Sequence, residues 1–236
     1  MADGMSAGEL MANVDVPLAA LRDIGAPGDC VVIYSSKLDG FGTARSDLDI
    51  YVVGPGARND PSSARFEVRD GLDIERWTEI EIAGICRQAV AGNARIDTLK
   101  VIYRLAVGIP TRGAVPPQLL DVDLCAELGR CFAVLTAEEV NSANGFIGQD
   151  DEDSGFLTAR RALTFGAMAW CAWHGKPIFK EKWLLPALRA MDPELAREYW
   201  ERQMVTAPIG TASIVALAQD LADRKEEGHS DGLTIA

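Results

Sequence analysis

Asp47 and Asp49 stand two residues apart in DLDIYVV (residues 47 to 53), a run otherwise rich in Val, Ile and Tyr. Such a run reads as a strand, and strand side chains alternate between faces, so both carboxylates belong to one face. Two like charges side by side are unfavourable unless something neutralises them. A divalent cation would do so, and magnesium is commonly held by one or two carboxylates together with substrate phosphates. A plainer alternative makes Asp47 a turn cap and leaves Asp49 facing solvent, with the two charges still adjacent. Asp73 and Glu75 alternate in the same way in LDIERW (72 to 77). If that strand pairs beside the first, three or four acids converge, and repulsion and burial raise at least one pKa toward that of a general base. On its own, LDIERW also reads as a half-exposed hairpin strand with its acids outward.

The segment before the carboxylate pair offers phosphate-binding groups. SSKLDGFGTARS (35 to 46) follows a short apolar strand and contains Ser35, Ser36, Gly40, Gly42 and Ser46. Backbone N–H groups and hydroxyls in a glycine-containing loop can donate to phosphate oxygens without steric obstruction. His174 and His229 show no ligand spacing, and Cys30, Cys86, Cys125, Cys131 and Cys171 form no CxxC pair, so neither a zinc site nor a disulfide framework is indicated.

These residues need elements to hold them. CVVIY (30 to 34) reads as a buried strand, DLDIYVV (47 to 53) as the next, and residues 65 to 68 and 72 to 77 as a hairpin closed at RDG. Residues 6 to 23 have the apolar spacing of an amphipathic helix, and 54 to 63 are turn-rich. Thr78 and Glu81 have capping-box spacing and open a helix to about Val90; another helix follows near 95 to 107. GIPTRGAVPP (108 to 117), with three prolines and two glycines, is the expected boundary. Beyond it, helices are expected over 117–128, 130–144, 154–174, 180–190, 193–205 and 209–225, with Asp192 as N-cap and Pro193 in the first position of one. The expectation is an α+β chain: an α/β unit over 1–112, then a helical bundle over 113–236, with the chemistry where they face each other.

The 236-residue chain carries 23 Lys plus Arg against 35 Asp plus Glu, a formal charge of −12. That balance argues against broad nucleic-acid binding, which needs a basic face. No signal-peptide pattern is visible at the N-terminus, and no apolar run approaches the roughly 18 residues of a membrane span. A cytoplasmic location is expected.

The order strand, Ser35-Ser36, loop, Ser-Asp-Leu-Asp, strand resembles the nucleotidyltransferase superfamily with the DNA polymerase β fold. Its motif is a strand, Gly-Ser, a loop of about ten residues and Asp-x-Asp on the next strand, with a third acid on a later strand. Ser36 matches the motif serine, Ser35 stands at the glycine, and Asp47 and Asp49 match the metal-binding pair. Asp73 best fits the third carboxylate, with Glu75 as the alternative. Residues 156 to 188 look like the helix and basic loop of small-molecule and aminoglycoside adenylyltransferases. That likeness implies phosphate contacts from Arg160 or Arg161 and from Lys180 or Lys182. Phe156, Leu163, Trp170 and Trp173 read more simply as core than as a base-stacking surface. The run QDDED (149 to 153) is read as capping the next helix, or as a rim drawing an amine-bearing acceptor.

The resemblance implies a magnesium-dependent transfer of a nucleoside monophosphate, AMP from ATP, onto a hydroxyl of a small molecule, releasing pyrophosphate. Asp47, Asp49 and Asp73 would hold metal, and Ser35, Ser36, Ser46 and the basic residues would contact nucleotide. The alternatives are a nucleotide-binding regulatory protein of the same fold without transfer, or an adenylyltransferase acting on protein or RNA.

Overall fold

The computed structural model describes residues 21, 23–41, 46–55, 65–69, 72–205 and 210–224. All of the helix expected over 6–23 except Leu21 and Asp23, most of the turn-rich 54–63 and the tail after 224 lie outside the described residues.

The described strands are β1 (Cys30–Tyr34), β2 (Asp49–Val53), β3 (Phe66–Arg69), β4 (Leu72–Trp77) and β5 (Ile109–Arg112). They form one sheet in the order β3-β4-β2-β1-β5. β1 and β2 pair antiparallel, as do β3 and β4, whereas β2 and β4 run parallel. β1 is buried along its whole length, which is why it reads as a continuous apolar run. Alternation divides the central strands. Val31, Ile33, Ile50, Val52, Leu72 and Ile74 join Leu21, Ile24 and Leu48 in a core on one face. Asp49, Tyr51, Asp73 and Glu75 occupy the other.

GIPTRGAVPP, expected only as a boundary, contains a further strand, β5. It pairs with β1 at the sheet edge, with Pro110 opposite Val32 and an irregular register there. An edge strand tolerates proline because one side of its ladder needs no donor.

α1 (Glu79–Val90) and α2 (Ile96–Val107) follow β4. α1 opens with the expected capping box: Thr78 Oγ1 accepts from Glu81 N at 3.2 Å, and Glu81 Oε2 accepts from Thr78 N at 2.9 Å. A short 3-10 turn (Pro117–Asp121) buries Leu119, and the first compact unit ends at Val122.

The second unit begins at Asp123. It contains α3 (Leu124–Ile147), α4 (Glu152–Trp173), α5 (Leu184–Met191), α6 (Pro193–Gln203) and α7 (Thr211–Asp223). The two helices expected over 117–128 and 130–144 are instead that 3-10 turn and one helix, α3. Asp123 caps α3, its carboxylate accepting from Ala126 N at 2.9 Å. Gly129 is not a break within it: a Cβ there would lie 2.1 Å from Trp173 Nε1, so the missing side chain lets the indole of α4 pack close. Asp192 caps α6 through Glu194 N and Leu195 N, with Pro193 first in the helix. No described helix is long and apolar enough to cross a membrane. The chain is thus α+β, a five-stranded mixed sheet with helices followed by a helical unit.

Candidate active site

Strand register gathers the expected residues at one end of the sheet. Tyr34, the last residue of β1, lies opposite Asp49, the first of β2. The intervening loop therefore leaves and re-enters at the edge where the carboxylates begin. Within it, Leu38 N donates to Ser35 O at 2.9 Å and Phe41 N to Ser36 O at 3.1 Å, folding the chain into turns. Gly40 has φ +81°, the left-handed conformation that glycine adopts without penalty. Ser36 Oγ donates to Ser46 Oγ at 3.2 Å, so these two hydroxyls meet across ten residues. Ser35 is 1% exposed, and its Oγ accepts from Lys37 N at 3.5 Å, turned into the loop.

The parallel pair β2 and β4 places Asp73 opposite Asp49 and Glu75 opposite Tyr51. Directly paired residues project from the same face, so these four side chains share it. Leu48 is buried in the opposite core, and Asp47 before it is exposed. Asp73 is exposed, whereas Asp49 and Glu75 are half-buried.

A protein cation stands beside Asp49. Arg104 of α2, buried, lies with Nη1 3.2 Å from the Asp49 carboxylate and donates to Tyr51 Oη at 2.7 Å. Its guanidinium lies 4.8 Å from the Tyr34 ring centroid. Tyr34 Oη bonds to Asp39, which also accepts from Tyr103 Oη at 2.9 Å. Burial pushes both Tyr34 and Tyr51 well above the usual tyrosine range, so both remain neutral hydroxyls.

Glu75 is held by Trp77, whose Nε1 donates to Oε1 at 3.0 Å. Burial raises the Glu75 pKa, opposed by that hydrogen bond and by Arg65, Arg104 and Lys100. The Arg65 guanidinium sits 3.4 Å above the Trp77 ring centroid.

Among the described residues, no three Asp, Glu, His or Cys side chains draw together into a metal cage. The donor set that fits is the sparser kind natural to magnesium, a carboxylate or two completed by phosphate oxygens and water. Of the expected ligands, register brings Asp49 and Asp73 together, and Asp47 lies exposed just before β2.

The basic residues expected from the second unit are placed within that unit. Arg160 Nε donates to Gln203 Oε1 at 3.1 Å, and Arg161 pairs with Glu139 at 2.9 Å. Lys180 and Lys182 are exposed, with Lys182 Nζ 5.0 Å from the Trp183 ring centroid. In the acidic run, Asp151 caps α4, accepting from Ser154 N at 3.1 Å. Phe156, Leu163, Trp170 and Trp173 are buried.

Arg104, Tyr51, Trp77, Arg65 and Lys100 were not singled out from the sequence. A signal existed for two of them: Lys100 and Arg104 are four apart on a helix, hence on one face.

No protein-family model matches the chain. No curated protein matches it either. Among solved structures it is similar to a nucleotidyltransferase-like protein from Exiguobacterium sibiricum 255-15, with TM-score 0.45 and 13% identity, over 83% of this chain and 68% of that one.

Proposed function

We propose that the chain is a nucleotidyltransferase that moves a nucleoside monophosphate, AMP from ATP, onto a hydroxyl of a small molecule. The observation that carries the reading is the register of β2 and β4. It sets Asp49 beside Asp73 on one sheet face, at the end where the Ser36–Ser46 pair closes the loop. The motif order supports it, because Asp49 and Asp73 are separated in sequence but paired in the sheet, with the serine loop leading into β2.

Asp47 and Asp49, with Asp73 beside them, are the residues that would hold magnesium. The bound ion would supply charge neutralisation at the phosphates. Ser36 and Ser46 orient the outer phosphates by hydrogen bonds, assisted by the backbone N–H groups of their loop. Arg104 keeps Asp49 fixed against the sheet. The acceptor oxygen forms a bond to the α-phosphorus as the bond from that phosphorus to the bridging oxygen breaks. The hydroxyl proton passes to a carboxylate, Asp73 or Glu75, and pyrophosphate departs with the bonding electrons. Positioning and electrostatics supply most of the rate, since little covalent work falls to the protein.

The test is pyrophosphate release from magnesium-ATP in the presence of candidate hydroxyl acceptors. Asp47→Asn and Asp49→Asn should each abolish release while the circular dichroism spectrum stays native. Release at the wild-type rate from either variant overturns the reading.

A further inference from the structure

Asp39 stands three residues after Ser36 and seven before Ser46 in the serine loop. Its carboxylate is the meeting point of two phenols from different elements. Tyr34 Oη, at the end of β1, donates to Oδ2, and Tyr103 Oη, on α2, donates to Oδ1 at 2.9 Å. Both tyrosines are buried and Asp39 is half-buried. Burial holds the Tyr34 phenol neutral, so it keeps the proton it donates. A carboxylate accepts such bonds more strongly than a neutral oxygen does, and a low local dielectric strengthens them further.

The shape of the loop is set locally. Leu38 N donates to Ser35 O, Gly40 N to Lys37 O and Phe41 N to Ser36 O, so Asp39 belongs to the same run of turns as Ser35 and Ser36. The place of those turns over the sheet needs ties of longer range. Tyr34 pairs with Asp49 in register, so its side chain lies on the face that carries Asp49, Tyr51 and Asp73. α2 reaches that face through Arg104, the residue after Tyr103, which approaches the Asp49 carboxylate at 3.2 Å and the Tyr34 ring centroid at 4.8 Å. Consecutive residues of one helix therefore tie down the loop and the first carboxylate of β2. Any movement of the loop away from α2 takes the Asp39 carboxylate from both phenols.

We propose that Asp39 is a positioning residue for the nucleotide: clamped by Tyr34 and Tyr103, it fixes the serine loop relative to Asp49 and holds Ser36 ready for the outer phosphates. A carboxylate has no proton to donate to a phosphate oxygen, so Asp39 acts through the turns it shares with Ser36. The nucleotide role rests on the nucleotidyltransferase reading; the clamp does not.

Hydrogen exchange of the full chain, followed by mass spectrometry, reads the clamp. Asp39→Ala, and Tyr103→Phe, which loses only the hydroxyl, should each speed exchange over residues 36–41 by about tenfold while β1 and β2 keep the wild-type rate. Calorimetric titration with magnesium-ATP reads the nucleotide role. Asp39→Ala should weaken binding by about tenfold and Tyr103→Phe by less. The double variant should bind no more weakly than Asp39→Ala alone, because the hydroxyl no longer holds the loop once Asp39 is gone. Loop exchange left unchanged, exchange raised equally through the sheet, an ATP affinity unmoved by Asp39→Ala, or losses that multiply in the double variant each overturn the proposal. If the wild type binds no ATP, the nucleotidyltransferase reading falls and the nucleotide role with it, and the exchange pattern by itself upholds or overturns the clamp.

Discussion

The Arg104 guanidinium lies 3.2 Å from the Asp49 carboxylate and at the same time donates to Tyr51 Oη at 2.7 Å. One buried cation thus meets the charge that register places next to Asp73, and it ties α2 to the sheet. Arg104→Met keeps most of the aliphatic stem and removes the charge. Because the Asp49 side chain is 23% exposed, water relieves part of the loss, and about 1–3 kcal/mol of destabilisation is expected. Arg104→Lys should recover only part of it, since an ammonium cannot reach carboxylate and phenol with a planar fork. Urea unfolding measures the difference. Millimolar magnesium alone should raise the melting temperature of Arg104→Met more than that of the wild type, because the variant's Asp49 has lost the attraction of the Arg104 guanidinium. Equal shifts would separate Asp49 from metal binding.

Asp73 and Glu75 lie on one face of β4 but in different surroundings. Asp73 is exposed opposite Asp49, and Glu75 is half-buried, with Trp77 Nε1 donating to its carboxylate. Glu75→Gln should lower kcat by roughly 10²–10⁴ while magnesium-ATP still binds, as expected for a lost proton acceptor. Asp73→Asn should instead weaken magnesium-ATP binding in calorimetry. The reverse pattern would exchange the two roles.

Much of this site was legible because period 2 assigns faces. Asp73 and Glu75 had to share one; Asp47 lies before β2, which begins at Asp49, so the strand period does not place it. Periodicity does not say which strands become neighbours, so the Asp49–Asp73 pairing waited on the parallel register of β2 and β4. Thr78 and Glu81 were readable for a local reason, as a capping box is written in four consecutive residues. Arg104 was not, because it lies 53 positions from Tyr51 and sits among Ile102, Tyr103 and Leu105 in an apolar helical stretch. Only the fold reveals that its face meets a carboxylate. β5 gave no signal in the sequence: Pro110 argues against strand, and the edge position that permits it is a property of the whole sheet.

Glycines in the second unit should respond to alanine with opposite signs. At Gly166 of α4 a Cβ would lie 2.5 Å from the Ala218 carbonyl oxygen of α7, a backbone atom that cannot rotate away. Gly166→Ala therefore forces the helices apart, and a loss of about 1–3 kcal/mol is expected despite the better helix former. At Gly145 of α3 a Cβ meets nothing within 4 Å, so Gly145→Ala should gain up to about 1 kcal/mol. Tryptophan fluorescence during urea unfolding reports on this unit, since four of the five tryptophans lie beyond Asp123. A neutral Gly166→Ala would deny the close approach of α4 and α7.

The cysteines set an alkaline limit on stability. All five are buried. Burial pushes the Cys125 thiol up to about 11 and the Cys171 thiol up to about 12, from an ordinary value of 9.0. Near pH 8 the folded chain holds both as neutral thiols, so a disulfide reagent such as dithionitrobenzoate should modify them only after urea unfolds the protein. The sign of the pH effect follows from linkage. A thiol whose pKa is raised by folding favours the folded state fully below the unfolded pKa. As pH rises between 9 and the folded values, the unfolded chain ionises first and is drawn off. At pH 10 each of these thiols should cost about 1 kcal/mol relative to pH 8. Cys171→Ala should flatten that alkaline slope, although the smaller side chain lowers stability at every pH. A slope unchanged in Cys171→Ala would mean that this thiol does not stay protonated in the folded chain.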